Sequence, residues 1–259
     1  MGIGLATYAV RNELKKPEFG FKGMADWMVK HDIKLLELNN MFVKPETVAE
    51  TVKIFTDRGV KPNQLTVDGN NFFQKSESGR ANQMAFMKPW IDAAHSVGIP
   101  TIRANMGHAL SGLIGLFKKT DTLDNLVATF RPILEYTENL GINFVFENHG
   151  GKSSDVEFQL KVKAAFPSKR FGYLLDFGNY RPKPLVYENI PKLGKAILAV
   201  HAKTYNFDAE GNETTLDVGK IVSLLKQIGY SGDYNIEFEG PLPDLEGVEK
   251  TAALLRKYL

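Results

Sequence analysis

The sequence predicts an α/β protein of the (β/α)8 TIM-barrel class, built as one domain over residues 1–259. Three observations predict it. Short apolar runs alternate with longer amphipathic segments from one end of the chain to the other. Eight such pairs fill 259 residues, which matches the count and length of a closed eightfold barrel. Polar side chains recur at the C-terminal ends of the apolar runs in a constant strand phase, as the mouth of such a barrel requires. A doubly wound open sheet is the competing arrangement, but the chain carries no glycine-rich fingerprint for it.

The elements follow in order. Ile3–Thr7 reads as the first strand, and a helix at Gly23–His31 follows and ends at His31-Asp32. Lys34–Leu38 is the second strand. Lys44-Pro45-Glu46 starts the helix Pro45–Arg58 with proline in its first turn, and Gly59 stops it. The third strand, Gln64–Val67, precedes a helix at Ala81–Val97, and the fourth, Thr101–Ala104, precedes one at Thr122–Leu140 that Gly141 ends. Asn143–Phe146 pairs with Asp155–Ala165, and Gly172–Leu175 with Pro184–Gly194. Ile197–His201 pairs with Val218–Ile228, which stops at Gly229, and Tyr234–Phe238 with Leu245–Tyr258.

Composition sets bounds. Hydrophobic content of 43% with 24% charged residues is that of an ordinary globular chain able to bury one large core. A net charge of +2 leaves no electrostatic footprint for nucleic acid or a membrane surface. The absence of cysteine removes disulfides, thiolate zinc sites and a cysteine nucleophile. No apolar run approaches the roughly 18 residues of a membrane span. The first residues read as a strand rather than a signal peptide, so the expected setting is cytoplasmic, although a leader removed beforehand would leave no trace. A homo-oligomer is compatible with the chain.

Strand phase then sorts the faces. In Asn143–His149, Phe144 and Phe146 face the helices, while Asn143, Val145, Glu147 and His149 face inward. Tyr173 and Leu175 point out and Asp176 in. Leu198, Val200 and Ala202 are expected on the helix side, leaving His201 and Lys203 inward, and Glu237 and Glu239 alternate with outward Ile236 and Phe238. Glu37 with Asn39, Thr66 with Asp68 and Arg103 with Asn105 share the inward phase on the earlier strands.

Glu147, Asp176, His201 and Glu237 thus stand at the ends of four successive strands. Three carboxylates and an imidazole form a hard, oxygen-rich set suited to one divalent ion, Mn²⁺ first, with Mg²⁺, Co²⁺ or Zn²⁺ as alternatives. Such an ion acts as a Lewis acid on a carbonyl compound, and proton transfer at carbon needs an acid and a base beside it. Glu147 and Glu237, on the fifth and eighth strands, are placed to flank a ligand.

The runs FVFENHG, LLDFGN, VHAKT and GYSGDYNIEFEG resemble the xylose isomerase-like sugar phosphate isomerase/epimerase superfamily. The resemblance covers the barrel and is concentrated after about Asn143. It implies metal ligands at Glu147, Asp176, His201 and Glu237, the last chosen over Glu239 by the G-Y-x-G-x-x-x-I-E pattern. It also implies Glu147 and Glu237 as the acid–base pair and a small carbohydrate as substrate. The ketose 3-epimerase branch carries a histidine where this chain has Asn179 and an arginine where it has Phe207. The superfamily extends to inosose isomerases and dehydratases, hydroxypyruvate isomerases and a DNA repair endonuclease. The expected function is therefore a metal-dependent isomerase or epimerase of a keto-sugar, keto-inositol or related compound, working by enediolate proton transfer. An inosose-type dehydratase is the alternative. A repair endonuclease would need more than the chain's five histidines and a basic groove, and a sugar-binding barrel without catalysis is the non-enzymatic reading.

Arg103, His149, Asn179, Lys203 and Glu239 are the candidates for substrate contact. Arg103 has a structural alternative, an ion pair with an inward acid such as Glu37. The loop Asn105–Gly112 is a candidate cover for the mouth, with His108 in it read as solvated. Asn70-Asn71-Phe72-Phe73 is a candidate aromatic wall. Glu239-Gly240-Pro241 is a candidate helix start that could take an anion. Trp27 and Trp90 read as packing residues.

Overall fold

The computed structural model describes residues 1–107 and 121–259. The strands β1 (Ile3–Ala6), β2 (Leu35–Asn39), β3 (Lys61–Val67), β4 (Thr101–Ala104), β5 (Asn143–Glu147), β6 (Phe171–Asp176), β7 (Ile197–Thr204) and β8 (Tyr234–Phe238) pair in sequence order, all parallel. β8 returns to β1 through Ile3 opposite Tyr234, which closes the barrel and leaves no free sheet edge among the described residues. The helices α1 (Gly20–Lys30), α2 (Val48–Thr56), α3 (Glu77–Ser96), α4 (Leu123–Asn139), α5 (Val156–Ala165), α6 (Leu185–Leu193), α7 (Val218–Gln227) and α8 (Asp244–Tyr258) alternate with them. This is the (β/α)8 barrel the alternation predicts.

Local chemistry sets the boundaries. Ser76, Thr122, Asp155 and Asp217 each accept a backbone N–H from the first turn of α3, α4, α5 and α7. Gly59 and Gly229 take φ of +79° and +80° just beyond α2 and α7, a conformation that favours glycine; Asp32 does the same job after α1 at φ +53°. The expected first strand stops one residue early, because Thr7–Val10 turns into a short 3-10 helix whose apolar residues are buried.

Two hydrophobic layers position the mouth. Outside the barrel, Phe130 of α4 packs on Phe144, Phe146 and Phe171, with ring centroids 4.6–5.3 Å apart. Each such buried ring contributes roughly 1.5–3 kcal/mol through removal from water. Inside, Val145, Leu174 and Ala199 plug the barrel below the polar layer. Leu198 corrects the expected strand phase. The register slips so that Tyr173 faces Ile197 but Leu174 faces Ala199. Leu198 is the extra residue, packing on the interior plug rather than facing the helices. Gly172 makes room for it, since a Cβ there would sit 2.3 Å from the Ala196 carbonyl and 2.7 Å from Leu198. The phase recovers above the slip, so Asp176 lies opposite His201. Among the described residues, no helix is long and apolar enough to cross a membrane.

Candidate metal centre

The ends of β5 to β8 bring Glu147, Asp176, His201 and Glu237 together. One donor atom from each lies within 4.8 Å of the other three, and all four residues are buried. His201 Nδ1 sits 3.6 Å from Glu147 Oε1, 3.8 Å from Asp176 Oδ2 and 3.5 Å from Glu237 Oε2. Donors about 2.0–2.2 Å from a shared ion stand roughly 3–4.4 Å apart, close to these separations. His201 Nδ1 is buried without a hydrogen-bond partner, while Glu147 Oε2 meets Arg103 and both Asp176 Oδ2 and Glu237 Oε2 meet the Lys203 ammonium. A buried ring nitrogen is rarely left in that state, so Nδ1 facing three carboxylates fits a cation. The cluster could hold a metal ion.

Neighbouring groups orient these side chains. The Asn148 side chain clamps the end of β6, accepting from Asp176 N at 2.7 Å and donating to its carbonyl at 3.1 Å. Gly178 N donates to Asp176 Oδ1 at 2.8 Å, which leaves Oδ2 facing the cluster. Asn179 donates to Glu147 Oε1 at 2.9 Å and accepts from Lys203 Nζ at 3.0 Å. Lys203 Nζ also lies 3.1 Å from Asp176 Oδ2, 2.8 Å from Glu237 Oε2 and 3.5 Å from Glu239. Arg103, 3% exposed, pairs with both Glu147 and Asp68. Arg103 thus forms the ion pair with inward acids that was its structural alternative, with Glu147 and Asp68 in place of Glu37. Glu37 instead binds His201 Nε2, with both oxygens at 2.9 Å.

The electrostatics follow from packing many acids in a dry space. Burial lowers the pKa of His201, but the charges of Glu37 and Glu237 outweigh it and push the value up to about 10. Burial likewise disfavours the Lys203 ammonium, yet Asp176, Glu237 and Glu239 raise it well above its ordinary value. For Asp176 burial is the largest influence and raises the carboxyl to about 7 despite Lys203. Burial also acts upward on Glu237, but Lys203 and His201 together hold it well below the usual carboxylate range. With protein charges alone, the carboxylates therefore demand a proton on the imidazole. A divalent ion at Nδ1 and a proton on Nδ1 exclude one another, so the same demand favours the metal.

Above the cluster opens a cavity of about 390 Å³, lined among others by Tyr8, Asp68, Arg103, His149, Lys203 and Glu239. His149 is exposed at the rim, and Glu239 is half-buried. Two expectations fail at this mouth. Phe72 and Phe73 do not form its wall: Phe72 packs on Phe130 and Phe146 and Phe73 on Phe158, within the outer core. No helix opens at Glu239-Gly240-Pro241. α8 starts at Asp244, and its first turn carries Asp244 and Glu246, which repel an anion. Of the loop Asn105–Gly112, only Asn105, Met106 and Gly107 are described, and His108 lies outside the described residues. Sequence reasoning missed the roles of Glu37, Asp68 and Asn148. The inward phase of Glu37 and Asp68 was visible, but their partners lie on other strands, and Asn148 stands out of that phase.

No curated protein matches the chain in sequence. Solved structures of similar fold include D-psicose 3-epimerase with D-tagatose from Clostridium cellulolyticum H10, at 14% identity and TM-score 0.77 over 100% of this chain and 99% of that one. D-allulose 3-epimerase from Methylomonas sp. is similar at 14% identity and TM-score 0.81, over 100% and 97% of the two chains. A probable 3-DHS dehydratase from Bacillus anthracis is similar at 13% identity and TM-score 0.74, over 99% of each. A family model described as a xylose isomerase-like TIM barrel matches residues 18–258. The chain belongs to that xylose isomerase-like family.

Proposed function

We propose that this chain is a divalent-metal-dependent isomerase or epimerase of a keto-sugar, keto-inositol or related carbonyl compound. The observation that carries the reading is the convergence of donor atoms from four buried residues, all within 4.8 Å of one another, at the floor of the barrel mouth. Glu147, Asp176, His201 and Glu237 would hold the ion, Mn²⁺ before Mg²⁺, Co²⁺ or Zn²⁺. Bound there, it would polarise the substrate's carbonyl and a neighbouring oxygen. Glu147 and Glu237 enter from β5 and β8 and serve as the acid–base pair. One takes a proton from the carbon beside the carbonyl, giving an enediolate, and the other returns one. Asn179 holds Glu147 by one oxygen, and Lys203 stabilises the ionised form of Glu237. Arg103, His149, Asn179, Lys203 and Glu239 offer polar contacts to a hydroxylated ligand.

One observation favours a second reading. Asn179 bridges Glu147 and Lys203 at the position where the ketose 3-epimerase branch carries histidine. The polar groups around the acid–base pair therefore differ from that branch, and the enediolate could instead expel a β-hydroxyl, which is dehydration. Incubation of Mn²⁺-loaded protein with ketohexoses and inososes in D₂O tests both readings. Deuterium at the carbon beside the carbonyl, abolished by chelator, is the expected result. It should fall on the order of 10²–10⁴-fold in Glu147→Gln or Glu237→Gln. A dehydrated product would select the second reading, and no exchange with any substrate would overturn both.

A further inference from the structure

His201 Nε2, on the side of the ring away from the other three carboxylates, meets both oxygens of Glu37 at 2.9 Å. Glu37 is 1% exposed, and among the described residues its ion-pair partner is His201. Its oxygens are each held again. Thr66 Oγ1 donates to Oε1 at 2.6 Å, and Asn235 Nδ2 donates to Oε2 at 2.8 Å. The orientation of Asn235 is forced, because a carboxylate only accepts. Its own oxygen accepts from Asn63 Nδ2 at 2.8 Å. The space for Asn235 comes from Gly4, where a Cβ would lie 2.0 Å from Asn235 Oδ1. Three strands outside the donor set, β1, β2 and β3, thus join β8 in fixing one carboxylate behind one ring.

We propose that Glu37 is the positioning residue of this centre. By accepting the Nε2–H of His201 it fixes the tautomer whose Nδ1 lone pair faces Glu147, Asp176 and Glu237, and Asn235 acts through it. The opposite tautomer would set the Nε2 lone pair against two carboxylate oxygens, a repulsion in a dry site. A carboxylate behind a ligating imidazole also raises its basicity toward a cation. This inference rests on the metal centre proposed above.

The test is calorimetric titration of Mn²⁺ into metal-stripped native protein, Glu37→Gln, Asn235→Ala and the double variant, each shown folded by circular dichroism. Glu37→Gln should weaken binding about 10–100-fold. Asn235→Ala should weaken it by less. The double variant should bind no more weakly than Glu37→Gln alone, since the second change acts through the first. A merely structural Glu37 would lower the melting temperature and leave the affinity of the folded variant within about threefold of native, and that result overturns the proposal. If Glu37→Gln does not fold, Asn235→Ala decides by the same comparison. Additive losses in the double variant would overturn the relay through Asn235. Native protein that binds no divalent ion would overturn the centre itself and this role with it, whereas native binding with an unchanged variant overturns the role of Glu37 alone.

Discussion

All four residues of the cluster stand on β5 to β8, whereas β2 and β4 contribute two of the residues that grip them, Glu37 and Arg103, beside Asn148, Asn179 and Lys203 of the cluster's own half. The contrast lies in how the carboxylates are satisfied. Glu37 of β2 is contacted by Thr66, Asn235 and His201. Asp68, just after β3, accepts from Asn105 at 2.9 Å and Asn39 at 3.3 Å besides pairing with Arg103. In the other half, Asp176 Oδ2 and Glu237 Oε2 share one ammonium, that of Lys203, and both face His201 Nδ1, which is buried with no hydrogen-bond partner. An unsatisfied buried group costs about 1–3 kcal/mol. Glu37 avoids that cost by being enclosed by its partners, whereas the carboxylates of the cluster keep one side toward His201 Nδ1, where a cation would sit.

The sharpest way to break this comparison is to remove donors from the open half. Asp176→Ala or His201→Ala should reduce bound metal from about one divalent ion per chain to none, with activity lost, while circular dichroism stays native. Elemental analysis of purified protein reads this directly. Metal retained at the native level in both variants would mean that the open atoms are not ligands.

A smaller effect is expected from the gripping half. Arg103 is buried between Glu147 and Asp68, and Arg103→Leu leaves Glu147 charged and enclosed. Breaking a buried pair from one side costs about 3–5 kcal/mol. The lower end applies here, because the Asp68 side chain is 35% exposed. The melting temperature of metal-stripped protein should fall by roughly 6–12 °C, at about 2–4 °C per kcal/mol for a chain of this size. A fall under about 2 °C would show that Arg103 does not balance Glu147.

The same division explains what could be read in advance. The barrel was legible because strand period and glycine-stopped helices are local signals, and the open half was legible because its four residues share a strand phase and carry family-like flanks. The phase of Leu198 was not legible. The slip at Tyr173 depends on Gly172 admitting Leu198 across two strands, which neither run shows alone. Nor were the partners of Glu37 legible. Its inward phase is plain in LLELN, but the choice between Arg103 and His201 depends on the stagger of strands that lie 164 residues apart in sequence at the His201 contact. Phe72 and Phe73 misled for the opposite reason. A loop aromatic beside a mouth looks like a wall, and here the outer core between α4 and β5 takes Phe72 instead.

The smallest expected effect sharpens the comparison most finely. Thr66→Val preserves shape in a residue only 2% exposed and removes one donor, the hydroxyl 2.6 Å from Glu37 Oε1. Glu37 keeps Asn235 and His201, so its charge stays enclosed on two sides. A hydrogen bond to a charged group is worth about 1.5–3 kcal/mol, and the remaining contacts place the loss at the low end. Urea unfolding of metal-stripped Thr66→Val should show a loss of about 1.5 kcal/mol with an unchanged denaturant slope. Mn²⁺ affinity should drop by less than in Glu37→Gln, because the carboxylate that sets the imidazole is still present. If affinity instead fell as far as in Glu37→Gln, orientation of the carboxylate would matter as much as its charge. If neither quantity moved, the enclosed half would be tolerating an open oxygen, and the distinction between enclosed and open carboxylates would lose its physical basis.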